Sequence, residues 1–365
     1  MINKILTMNE TDESTWDGFV SSIDESNYFH SYAWLKFASM LNNVEKNNSF
    51  LCLNDNDEPL CVCPLMLYLN NDNKYELSSA SDPLGVPAIS DLSPSNRRKL
   101  SQEIFNKIFD FGKENQVIKI NMIWYPLNIA ICNGNLLSYQ NSFELIKYNM
   151  LYRIENIVVI DLERSKDELS TRMSKYQRRH VNRSIKKGVS VKIFNKKNNN
   201  DQLDDLINQF KNAHLISAGI QTRSDSTWDY TLNMCKEGKG TLFVSFLNNN
   251  PISFLFCGEF LNTAYGFSQV NVEKYESKFS PRHHLEWEAF LYYKKEGFKY
   301  YEIGDRPFGF QLLNNPSKKE ISIGLFKERY GGNILHKIYW TKYLDKEFMK
   351  KDISTFSNNF INSIQ

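Results

Sequence analysis

The chain lacks any apolar run of membrane-spanning length: its densest, CVCPLMLYL, falls far short of the roughly 20 residues a bilayer-crossing helix needs. The opening stretch, MINKILTMNETDEST, turns acidic and polar before a signal-peptide core forms. A cytoplasmic protein is expected, at most in peripheral contact with a membrane. An excess of one charge is also missing. The 44 basic and 42 acidic residues leave a formal net charge of +2, so phosphate has to be attracted by local clusters rather than by a global field.

Cysteine is sparse, and only Cys61 and Cys63 lie close together. No second pair at zinc spacing accompanies them, so they read as reduced core thiols sharing one face of a strand. The histidines, His30, His180, His214, His283, His284 and His336, form no HExxH or similar ligand spacing, and no metal site is expected. There is no GxSxG elbow and no recognisable Cys and His pair, which argues against a side-chain nucleophile. What is present is core-forming material. At 41% hydrophobic and 14% aromatic, the chain is too rich in apolar residues for disorder, and its 365 residues suggest two domains.

The organising signal is an internal repetition at an offset of about 190 residues. FLCLNDNDEPLCVCPLMLYLNNDNKYELSS and TLFVSFLNNNPISFLFCGEFLNTAYGFSQV each read as three strands joined by Asn-rich turns, with Pro59 and Pro251 in matching places. A bracketed helix follows each meander. Ser93 and Pro94 open the first, Leu100, Ile104, Ile108 and Phe111 give it an apolar face, and Gly112 stops it; Ser280, Pro281 and Gly297 bracket the second. A short strand then completes each unit, VIKINMIW and FKYYEIG, with the helix as crossover back to the sheet. Helices are also expected in NYFHSYAWLKFASML, DQLDDLINQFKNAHL and SDSTWDYTLNM.

Three stretches carry a family likeness: RMSKYQRRHVNRSIKKGVSV, LEWEAFLYYKKEGFKYYEIGDR and GLFKERYGG. In this order they resemble the FemAB and related GNAT-fold N-acyltransferases, over roughly residues 165 to 345, with the FHSYAWL segment adding a weaker likeness earlier. The resemblance implies an α+β protein of two tandem GNAT-like domains, each a mixed twisted sheet flanked by helices; the strand-like IENIVVIDL, ending near Asp161, sets the expected division at 1–162 and 163–365. It also implies an acceptor cleft near the domain junction. Two departures stand out: the helical-hairpin arm of the tRNA-dependent peptidoglycan enzymes is missing, and NVEKYESKFSP holds no glycine where acetyl-CoA enzymes carry an RxxGxG/A pyrophosphate loop.

Amide-forming acyl transfer needs a deprotonated amine, an aligned donor carbonyl and a positive group where the oxyanion develops. The resemblance places Lys327 at that centre with Phe326 lining it, ahead of the turn at Gly331 and Gly332. Asp305 and Glu302, at the end of YYEIGDR, are candidates to take the amine proton, and Arg306 to hold an acceptor anion; an ordinary loop ion pair explains Asp305 and Arg306 equally well. His283, in the first turn of the second bracketed helix, and Tyr265 with Gln269, alternating to one face of the third strand, are supporting candidates. Arg179, Arg183 and Lys187, four residues apart, make one basic stripe on a helix closed by Gly188.

The expected activity is transfer of an acyl or aminoacyl group to an amine of a cell-envelope precursor, a peptidoglycan peptide or a nucleotide-linked amino sugar. The donor is acyl-CoA or aminoacyl-tRNA, and no tightly bound cofactor is expected. A small or nucleotide-linked acceptor and tRNA are the candidate partners; DNA is not. A binding protein that grips phosphorylated ligands or RNA through the basic helix, without catalysis, is the competing class. Replacing Arg179, Arg183 and Lys187 together by glutamine is expected to weaken binding of nucleotides or RNA with little loss of stability, since exposed charges contribute little to it. Unchanged binding in calorimetry returns the stripe to a solvated helix face.

Overall fold

The computed structural model describes residues 2–79, 83–134, 143–198 and 201–364. They fold as two units that interleave along the chain: unit 1 is Met1–Glu155, Gly309–Ser317 and His336–Gln365, and unit 2 is Asn156–Phe308 and Lys318–Leu335.

Unit 1 contains the strands β1 (Lys4–Thr7), β2 (Val44–Asn47), β3 (Phe50–Leu53), β4 (Pro59–Cys63), β5 (Met66–Leu69), β6 (Tyr75–Leu77), β7 (Leu84–Gly85), β8 (Ala88–Ile89) and β9 (Lys119–Trp124). Its helices are α1 (Glu13–Ser22), α2 (Tyr32–Ser39), α3 (Pro94–Glu114) and α4 (Ile129–Cys132). Two of its turns are written by the same chemistry. The Asn54 side-chain oxygen accepts from the amides of Asn56 and Glu58, and Asn70 does the same for Asp72 and Lys74, while Asp57 and Asn73 take the left-handed conformation.

The expected three-stranded meander of the first half is in fact four short strands divided between two sheets. β3 and β4 join β1 and β8, whereas β5 and β6 pair with β2 and β9. Pro64 falls between β4 and β5 and has no amide hydrogen to carry a ladder onward, so the apolar run changes sheet there. Cys61 and Cys63 are buried free thiols of β4.

Unit 2 continues from β10 (Leu151–Asp161), whose second half belongs to it, through α5 (Lys166–Arg172), α6 (Lys175–Lys186), β11 (Ser190–Phe194), α7 (Leu203–Ala218) and α8 (Asp225–Glu237). Then come β12 (Gly240–Leu247), β13 (Asn250–Phe260), β14 (Thr263–Asn271), α9 (Glu273–Phe279), α10 (Pro281–Lys295), β15 (Tyr300–Asp305) and α11 (Lys318–Glu328). Here the meander is as expected. Asn248 and Asn249 both take positive φ, 49° and 63°, the geometry of a two-residue hairpin turn, and the strand order is β11-β12-β13-β14-β15-β10. Phe243, Leu255, Leu285, Phe290, Tyr293 and Tyr301 form its core.

The repeated plan survives at the crossovers. α3 returns the chain to β9, which runs parallel to β6, and α10 returns it to β15, parallel to β14. Both helices close alike, with Val117 N donating to Gly112 O and Phe298 N to Tyr293 O. The stop residue in the first is nevertheless Gln116, at φ 53°, where the second uses Gly297 at φ 85°. Gly112 is not a stop. It lies inside α3, buried, where an added Cβ would come 2.8 Å from Leu344 Cδ1.

The 1–162 and 163–365 division differs from the observed units in where the later segments belong. β16 (Asn333–Tyr343) pairs antiparallel with β9 from Ile338 to Tyr343, and α12 (Lys346–Ile364) ties to unit 1 through Asp352, which meets Lys119. Long-range pairing, invisible in the repeat, returns these residues to the first unit. Among the described residues, no helix is long and apolar enough to cross a membrane.

Candidate active site

Unit 2 contains a cavity of about 890 Å³, lined by α7, β13, β14, α9, α10, β15 and α11. Lys327 reaches it from α11, and Arg282 and Glu286, four residues apart on α10, face it together. Lys327 is half-buried, and its ammonium lies against Gly304, where a Cβ would come within 2.4 Å of Nζ. Gly304 has φ 110° and sits at the end of β15, so glycine serves both the backbone and the space the lysine needs.

Loss of solvent pulls the Lys327 pKa below the ordinary lysine value, against the opposing pull of Asp305 and Glu302 and, more weakly, of Glu286. Glu286 is 3% exposed, and desolvation pushes its carboxyl up to about 7. Arg282, a hydrogen bond from Tyr301 Oη at 3.0 Å and Lys327 all work in the opposite sense. A cation with weakened hold on its proton and an acid poised near neutrality therefore share one cavity, an arrangement suited to proton transfer beside a developing anion.

The other expected residues divide. Glu302 is buried and Asp305 exposed, and both are close enough to influence Lys327. Phe326 supports the site from behind: its ring packs on the unit 2 core, Arg282 lies over it at 4.1 Å, and its carbonyl accepts from Gln177 Nε2 at 3.0 Å. Gln269 lines the cavity. Tyr265 is 3% exposed and not among the lining residues. The expectation that it shares a face with Gln269 fails because β14 carries an extra residue at Phe267, where the register with β13 shifts, and one added residue reverses the alternation.

His283 faces away from the cavity toward α6. It donates from Nδ1 to Gln177 Oε1 at 2.6 Å and stacks on His180 with ring centroids 4.5 Å apart; burial first, then His180 and Arg282, pull its pKa down to about 3. Arg306 is 7% exposed and already paired with Glu328, and it also donates to Pro307 O. The ion pair of Arg306 is thus made with Glu328 at the end of α11. Arg179, Arg183 and Lys187 are exposed on α6, outside the cavity lining. Their neighbours Arg172 and Arg178 have structural partners: Arg178 donates to three carbonyls at the end of α5, and Arg172 to Gly331 O and Asn333 Oδ1.

Two residues the sequence reading passed over are Arg282 and Glu286. The signal available for them is a charged pair at helical spacing on either side of His283 and His284.

No family model and no curated protein matches this chain by sequence. Its structure is similar to FemX, with a TM-score of 0.65 over 95% of this chain and 99% of that one at 13% identity. L-PGS from Bacillus licheniformis matches at 0.58 over 95% and 96%, with 12% identity. A tandem GNAT protein from the clavulanic acid biosynthesis pathway matches at 0.54 over 93% and 98%, with 8% identity. At such identities the likeness is one of fold, and the fold is the expected one: α+β, with GNAT-like domains in tandem.

The turn after α11 sets a stability prediction. Gly331 has φ 80°, and a Cβ there would lie 2.3 Å from Arg172 O, a backbone atom that cannot move aside cheaply. Gly331→Ala is expected to cost about 2–4 kcal/mol in urea unfolding, and a loss under about 0.5 kcal/mol would show that this turn relaxes freely.

Proposed function

We propose that the chain is an N-acyltransferase that moves an acyl or aminoacyl group onto an amine of a cell-envelope precursor. The observation that carries this reading is the pairing of Lys327 and Glu286 in one cavity, each with its pKa moved by burial toward neutrality. The likeness in fold to FemX and to a tandem GNAT protein supports it.

In this reading the acceptor amine gives up a proton to Glu286 as its nitrogen attacks the donor carbonyl. The carbonyl electron pair moves to oxygen, where the Lys327 ammonium stabilises it. When the pair returns, the bond to the leaving thiol or hydroxyl breaks, and Glu286 returns the proton to that group. Asp305 and Glu302 help Lys327 keep its charge. Acyl-CoA and aminoacyl-tRNA are both donors of the required type, and the exposed basic stripe of α6 is a docking surface for the phosphate that either donor or a nucleotide-linked acceptor brings.

A positioned cation is worth about 3–4 kcal/mol to such an oxyanion, so Lys327→Met is expected to lower kcat roughly 100-fold or more, with a much smaller change in KM. A folded Lys327→Met protein turning over at the parental rate places the transfer centre elsewhere. If the chain only binds, neither form turns over with any donor.

The pH profile tests Glu286 separately. It must be ionised to act as a base, so kcat/KM is expected to rise through about 7, and to fall again below the ordinary lysine pKa of 10.5 as Lys327 deprotonates. Glu286→Gln should remove the rising limb. Stability responds with the opposite sense: because folding favours the neutral acid, stability is lost as pH rises from 4.5 to about 7, and the glutamine variant should not show that loss. A rising limb unchanged in Glu286→Gln assigns the base to another group.

A further inference from the structure

Three polar atoms around this cavity, Arg282 Nε, Gln269 Nε2 and Ser268 Oγ, are buried and have no hydrogen-bond partner among the described residues. All three residues line the cavity. Leaving one such group unpaired costs about 1–3 kcal/mol, and native proteins pair the large majority of them, so Arg282 and Gln269 together are a pair of donors waiting for an acceptor. Their positions are fixed by the fold. The extra residue in β14 at Phe267 reverses the alternation and sets Gln269, which pairs with Leu255, on the α10 side of the sheet with Arg282, while the next-door Ser268 points to the opposite face; Arg282 is held over the Phe326 ring at 4.1 Å.

The charges lining the cavity select the kind of acceptor. Arg282, Lys319 and Lys327 are balanced by Glu273, Glu276 and Glu286, so a phosphate dianion gains no net attraction there. A single planar carboxylate fits better, since the Arg282 guanidinium and the Gln269 amide can share its two oxygens. Glu286 stands four residues from Arg282 on the same helix, which places their Cβ atoms about 5–6 Å apart. That spacing lets one amino acid present its amine to Glu286 and its carboxylate to Arg282.

We infer that Arg282 and Gln269 form a carboxylate subsite, and that the acceptor is an amino acid, or the end of a short peptide, whose own carboxylate stays free. The proposed transfer reaction enters only in naming this ligand the acceptor; the subsite itself is a matter of binding.

Binding is therefore measured with no donor present. Ligand-observed NMR on the full chain, with each of the common amino acids in turn and then with the carboxamide of every binder, is expected to find at least one amino acid that binds tighter than about 10 mM. Its amide should bind at least about tenfold more weakly, and inorganic phosphate should not displace it. Gln269→Leu, which removes a donor that has nothing to lose in the free protein, is expected to hold or raise the thermal midpoint while weakening the amino acid about tenfold. Arg282→Met, which keeps an apolar stem over Phe326, should weaken it at least as much. The inference is overturned if no amino acid binds, if acid and amide bind alike, if phosphate competes, or if a folded Gln269→Leu or Arg282→Met protein keeps the parental affinity. Carboxylate-dependent binding without transfer from any donor leaves the subsite standing and removes the transferase reading.

Discussion

Desolvation of opposite charges in one small space is the constraint on which the site depends. Lys327 and Glu286 each lose water, and each drifts toward its neutral form; Asp305, Glu302 and Glu286 oppose the drift of Lys327, and Arg282, Tyr301 and Lys327 oppose that of Glu286. The surrounding backbone looks arranged to keep that balance. Gly304 clears room for the ammonium, Tyr301 steadies the Glu286 carboxylate, and Gln177, 0% exposed, ties α6 to the carbonyl just before Lys327.

Local chemistry in the sequence was enough to read unit 2. Its Asn-Asn hairpin, its bracketed α10 and the strand that follows are each announced by residues within a few positions, whereas Lys327 is singled out only by the family resemblance of GLFKERYGG. Reading failed where distant chain decides. The run across Pro64 gives no hint that its two halves enter different sheets, and nothing near β16 tells that its partner is β9. Arg282 and Glu286 were hidden for a different reason. α10 is buried on several sides, with His284, Leu285, Glu286, Trp287, Ala289, Phe290 and Tyr293 all covered, so no apolar stripe separates an inner face from an outer one. On such a helix a functional carboxylate cannot be told by periodicity from one that faces solvent.

The basic segment before β11 teaches a similar lesson about charge. Seven cations from Arg172 to Lys187 look like one anion-binding surface, yet Arg172 and Arg178 are spent on carbonyls where α5 breaks and α6 begins. Arg179, Arg183 and Lys187, at spacing four, remain exposed, and Lys187 lies over the Phe279 ring at 5.5 Å.

The interleaving of the two units sets an order on their birth. During synthesis the chain emerges from its amino-terminal end, and domains fold as their residues become available. Unit 2 is complete once Leu335 has emerged, but unit 1 still awaits β16, the strand that flanks β9, and α12. The half that is translated first is thus the half finished last, and until then the edge of β9 that β16 will cover stands open. A nascent chain stalled before residue 336 would expose that edge, the kind of unpaired strand that chaperones meet and that aggregation begins from.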